Sequence, residues 1–194
     1  MAHVTDTSTA DPQSSDLPDV VYTIGHGTVS ADELVTLLAD QGVTRLADIR
    51  SFPGSRHNPQ FGREEMERWA PEAGIDYRWL RDLGGRRKAE GESQHVALRH
   101  QAFRSYADYM ESDEFNSSLA ELLKLAAEQP TAIMCSESVW WKCHRRLVSD
   151  HLVLIEGVPV RHIMHTGKLN DHPPLAEARV EGSALVYDRE VDLT

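Results

Sequence analysis

Apolar positions along the chain fall into two alternating periods, and the alternation predicts a succession of strands and helices. Residues 20–24, Val-Val-Tyr-Thr-Ile, form a β-branched run that stops at Gly25, the pattern of a buried strand. Ser30-Ala31-Asp32-Glu33 sets a hydroxyl three residues before a carboxylate. That is a capping box, so a helix starts there. Leu34, Val35, Leu37 and Leu38 supply its apolar face, and Gly42 ends it. A second strand is predicted over 43–49 and a loop with Pro53, Gly54 and Pro59 over 51–61. A helix follows over 64–73, which Pro71 should shorten or kink.

The third strand is predicted over 75–80 and a long glycine-bearing loop over 83–93. Helices over 96–110 and 113–128 lead to a fourth strand over 131–135. A helix over 143–155, ended by Gly157, leads to a fifth strand over 158–164. The segment 165–194 has two prolines and few apolar residues, so it is predicted to wrap the surface, with 184–187 as an edge strand. Strands separated by helix-length segments predict an α/β fold: a three-layer sandwich in which a parallel sheet of about five strands carries helices on both faces. The expected organisation is a disordered tail over 1–19, a single α/β domain over 20–165 and an extension over 166–194.

Composition agrees with one such domain: 194 residues, 40% hydrophobic and 26% charged, suffice for one core. The net charge of −11 argues against broad nucleic-acid binding, although arginines cluster over 45–63, 78–88 and 142–146. Residues 1–19 have neither a basic start nor an apolar stretch, and no apolar run approaches the roughly 20 residues of a membrane span. The expectation is a cytoplasmic protein without membrane contact, so Cys135 and Cys143 are read as thiols.

In parallel sheets, ligands bind where the strands end. The first predicted strand is followed by Gly25-His26-Gly27. The second is followed by Asp48, Arg50, Ser51 and Phe52, then Arg56, Asn58 and Phe61. The third leads to Leu83-Gly84-Gly85-Arg86, and the fourth to Cys135, Ser136 and Glu137, with Cys143-His144-Arg145-Arg146 beyond. Four strands thus deliver polar or reactive residues to one edge.

These motifs, in this order over 20–164, resemble the family catalogued as domain of unknown function 488. The resemblance implies where the site lies and adds little about its reaction. The chain departs from the family in carrying two tryptophans over 138–142.

Each motif has a structural and a functional reading. His26 between two glycines is a candidate acid or base, or a turn histidine. Asp48 and Arg50 share a strand face and form an internal ion pair, or Arg50 and Arg56 instead grip a carboxylate or phosphate. Gly84 and Gly85 offer amides to an anion, with Arg86 beside them, or form a plain hinge. There is no phosphate-binding P-loop and no dinucleotide fingerprint, so no cofactor is predicted. Cys135 ends a buried strand, where packing competes with reactivity. Cys143 at a helix start with basic neighbours favours thiolate. Cys135, Cys143, His144 and His26 make a possible metal set, but they lack the tight Cys-x2-Cys pairing, so zinc is the lesser reading and no metal is predicted.

The reading is therefore an enzyme that binds an anionic small molecule or nucleotide-like group. Arg50, Arg56, Asn58, Gly84, Gly85, Arg86 and Arg145 would bind it. Cys143 or Cys135 would act as nucleophile or redox thiol, with His26 and Glu137 moving protons. The alternative is a module that grips a nucleic-acid end or single strand through the arginine and aromatic loops.

Overall fold

The computed structural model describes residues 17–190, apart from 55 and 90. The tail expected over 1–19 therefore falls largely outside the described residues. β1 (Val21–Gly25), β2 (Arg45–Asp48), β3 (Asp76–Trp79), β4 (Thr131–Cys135) and β5 (Val160–Ile163) form a parallel sheet. β6 (Leu169–Asp171) adds an antiparallel edge, giving the order β3-β2-β4-β1-β5-β6.

Alternation along the strands sends neighbouring side chains to opposite faces. Ile24, Leu46, Met134 and Ile163 pack against α1 (Ala31–Ala39) and α2 (Arg63–Glu72). Val21, Ala47, Ile133 and Val160 pack against α3 (Gln101–Tyr109), α4 (Asp113–Glu128) and α5 (Arg145–Leu154). The protein is therefore a three-layer α/β sandwich. Among the described residues no helix is long and apolar enough to cross a membrane.

The capping box forms as read: Glu33 N–H donates to Ser30 Oγ, and Ser30 N–H donates to Glu33 Oε2. Other elements differ from the expectation. Pro71 lies inside the last turn of α2, where few further helical bonds are at stake, and the helix ends at Glu72. α3 starts at Gln101 instead of 96, because Ala97 N–H donates to the Tyr187 carbonyl and holds the preceding residues out of the helix. α5 starts at Arg145 instead of 143, because a 3-10 turn over Trp140–Lys142 leaves Cys143 extended. The strand expected over 184–187 exists as β8 (Ala184–Tyr187), but it pairs with β7 (Ala178–Glu181) in a separate hairpin. Leu175, Ala178, Leu185 and Tyr187 from this segment enter the core on the α5 side.

Candidate functional site

β1 and β4 are neighbours whose onward connections run in opposite directions, to β2 on one side and to β5 on the other. The intervening helices α1 and α5 lie on opposite faces. Such a reversal opens a crevice at the carboxyl ends of the strands. At this edge a cavity of about 890 Å³ is lined from the ends of β2 and β4, the glycine loop after β3, the start of α3 and the loop before α5.

One wall of the site is a closed polar network. Asp48, fully buried, accepts two side-chain hydrogen bonds from Arg50, at 2.8 Å from Nε and 2.5 Å from Nη2. Tyr77 donates to the same carboxylate at 2.6 Å. Arg50 also donates from Nη2 to the Phe61 carbonyl at 2.8 Å, and its Nη1 lies 3.2 Å from His26 Nε2. Burial opposes the charge on Arg50, but its bonds to Asp48 outweigh that and raise its pKa. His26 is buried, stacks on Phe61 at 4.3 Å and sets Nδ1 2.9 Å from the Gly27 carbonyl. Burial and the neighbouring Arg50 charge bring its pKa down to about 4, so it is neutral at pH 7. A neutral ring with Nδ1 protonated donates to Gly27 and accepts from Arg50.

The floor is a sulfur–imidazole cluster. His144 Nε2 is 3.2 Å from the Ile49 carbonyl, so this nitrogen carries a proton, and in the neutral ring Nδ1 presents a lone pair. Nδ1 lies 3.8 Å from Cys135 Sγ and 3.6 Å from Cys143 Sγ. The ring reaches this place because residue 85 is glycine: a Cβ there would stand 2.4 Å from Nδ1. Cys143 sits two residues before α5 instead of opening it, yet the first amide of the helix, that of Arg145, reaches its sulfur. Burial raises its pKa, yet hydrogen bonding from Cys135 and the charge and amide of Arg145 outweigh burial, so the net direction is down. The bond to Cys143, together with burial, pushes Cys135 up. Arg145 itself is 1% exposed. It donates to Thr23 Oγ1 and to the Glu137 carbonyl and meets no carboxylate among the described residues.

The remaining walls are cationic. Arg50, Arg86, Arg99, Lys142 and Arg146 line the cavity against two carboxylates, Glu137 and Glu177, in a chain of net charge −11. Arg146 Nε and Ser51 Oγ are buried there without a hydrogen-bond partner. Phe52, 64% exposed, and Trp141, 42% exposed, also line it.

The structure thus brings Arg50, Gly85, Arg86, Cys135, Glu137 and Cys143 to one cavity. His26, Arg145 and Gly84 lie behind its surface, with Gly84 packed on Ser51. Arg56 is exposed, Asn58 starts the turn Pro59–Phe61, and neither lines the cavity. His144, which the sequence offers only within the lesser metal set, and Arg146, to which it assigns no role, both line the cavity. Their signal was adjacency: consecutive helical residues point about 100° apart, so Arg145 facing the core turns Arg146 elsewhere.

Residues 30–152 match the family model described as Domain of unknown function DUF488. No curated protein and no solved structure matches the chain.

Proposed function

The chain belongs to the DUF488 family, and we propose that it is an enzyme that binds an anionic small molecule or nucleotide-like group in this cavity and acts on it at the cysteine floor. One observation carries the reading: five cations, Arg50, Arg86, Arg99, Lys142 and Arg146, line the cavity against only two carboxylates. An anion in the cavity would answer this excess of cations through charge-assisted bonds. About 890 Å³ falls within the range of small-molecule sites. Phe52 and Trp141 offer apolar faces to the ligand's uncharged part. The Cys135–Cys143–His144 cluster supplies the reactive groups, and His26 holds Arg50 in place.

Calorimetric titration with phosphate and with nucleoside monophosphates tests this. Saturable binding at one site, lost in Arg146→Ala, is expected; binding unchanged in that variant rejects the reading. The exposed Phe52 and Trp141 also fit the nucleic-acid alternative. In that case a single-stranded oligonucleotide would bind more tightly than a mononucleotide, with affinity falling steeply as salt rises.

A further inference from the structure

We propose that Cys135, Cys143 and His144 form a three-ligand site for a zinc-like divalent cation, with its fourth position open to the cavity. The inference rests on the functional reading above only for what fills that fourth position.

The geometry points to a metal in three ways. First, the three donor atoms lie within 4.8 Å of one another. Zinc bonds of about 2.3 Å to sulfur and about 2.0 Å to nitrogen in a tetrahedron put sulfur and nitrogen about 3.5–3.6 Å apart. The distances from Nδ1 are 3.6 and 3.8 Å, close to those edges before any adjustment. Second, the imidazole is held as a ligand needs to be held. Its Nε2–H is engaged by the Ile49 carbonyl, which fixes the tautomer and aims the Nδ1 lone pair between the two sulfurs. Third, Gly85 clears the space for that ring position. The fourth histidine or cysteine that a closed structural site requires is absent among the described residues: His26 has one nitrogen by Arg50 and the other by the Gly27 carbonyl. Three protein ligands plus an open vertex is the arrangement of reactive zinc sites.

Binding converts both thiols to thiolates and releases their protons to solvent. The two thiolates then balance the cation, and the Arg145 and Arg146 charges remain uncompensated beside it. An anionic ligand in the fourth position restores the balance, so the anion of the proposed function binds through the metal as well as through Arg146. In this state Cys143 is a ligand, and reactivity sits at the open vertex.

The test uses the purified full chain and cobalt(II) or zinc(II) alone. The expected result is one equivalent of zinc per chain by elemental analysis after dialysis. Cobalt should give visible bands of tetrahedral intensity and a thiolate charge-transfer band. That band should fall to about half in Cys143→Ser and in Cys135→Ser, and the tetrahedral spectrum should vanish in His144→Ala. A cooperative thermal transition in each variant shows that it folds. Where a variant does not fold, competition between the wild-type chain and a chromophoric chelator decides. Failure of the wild-type chain to take zinc from a chelator of micromolar affinity overturns the proposal. So does an octahedral cobalt spectrum. Phosphate added to the cobalt protein should shift the visible bands. Phosphate that binds calorimetrically to chelator-treated protein, with no metal uptake, removes the metal and leaves the anion reading standing.

Discussion

Two polar regions meet at the carboxyl edge of the sheet, and they differ in how completely their groups are partnered. In the Asp48–Arg50–His26–Tyr77 wall each charged or polar group answers another, through bonds of 2.5–3.2 Å. In the Cys135–Cys143–His144–Arg146 floor one guanidinium nitrogen has no partner, and an imidazole lone pair faces two sulfurs at 3.6–3.8 Å. A saturated network holds a loop in one geometry, whereas an unsaturated one has capacity left for a ligand. A second saturated network supports the contrast. Asp150 accepts from His172 at 2.8 Å and from the Leu175 amide at 3.0 Å, while Tyr187 lies 3.1 Å away. His162 stands 2.9 Å from His172 and 2.7 Å from Thr23, tying the hairpin segment to α5 and β5.

The contrast is most easily broken by substitution on each side. Asp48→Ala strands the Arg50 charge in a buried site and should cost about 3–5 kcal/mol. Arg146→Ala should leave stability within about 0.5 kcal/mol while removing anion binding. Chemical denaturation measures both, and equal losses in the two variants would erase the distinction.

Acid should act on the saturated regions next. His26 is held neutral, with its pKa lowered from 6.5 to about 4 by burial and by Arg50, and His162 is lowered to about 3 by burial and by His172. An unfolded chain takes up these protons first as the pH drops below 6.5. Stability from the neutral rings is therefore complete above pH 6.5 and is lost as the pH falls towards 4 for His26 and 3 for His162. For His26 the loss is about 3 kcal/mol, at about 1.4 kcal/mol for each pH unit. Urea midpoints between pH 7 and pH 4 measure it, and a flat profile counts against the buried neutral His26.

Gly85→Ala sharpens the contrast from the other side. Its Cβ would meet the His144 ring, and the crowding should cost about 1–3 kcal/mol. It should also disturb the floor, read as weaker cobalt charge transfer, while leaving the Asp48 network in place. The smallest effect is expected at Arg56, which is exposed and off the cavity. Arg56→Ala should change phosphate affinity less than twofold by calorimetry, and a tenfold loss would extend the site to the 51–61 loop.

The layered fold was legible because its signals are local. The β-branched runs, the Ser30–Glu33 capping box and the glycine stops act over a few residues, and they located the five parallel strands. Misplaced boundaries trace to partners distant in sequence. Nothing near residue 96 announces that the Ala97 amide will be taken by Tyr187, and nothing near 184 says that β8 will choose β7 over the main sheet. At the site, the strand ends pointed to Cys135, Cys143, Arg50 and Arg86, because topology alone brings them to one edge. Arg145 shares the α5 face of Val148 and Leu152, three and seven residues on, so the phase of the helix turns Arg145 inward and Arg146 away. His144 was visible as a basic neighbour of Cys143 and as one of four residues in a possible metal set. Its placement depends on space left by a glycine some sixty positions earlier.

The family match ends at residue 152, yet Leu175 and Glu177 line the cavity. The floor and the cationic walls come from the shared part of the chain, and this last stretch of wall comes from beyond it. Most of the cavity's outline, Phe52, Arg99, Phe103 and Trp141 included, thus lies in the shared length, and one stretch of wall is added from outside it. Glu177 in that stretch can therefore vary the charge of one wall while the sulfurs and imidazole beneath stay as they are, a division of labour open to evolutionary tinkering and to redesign alike.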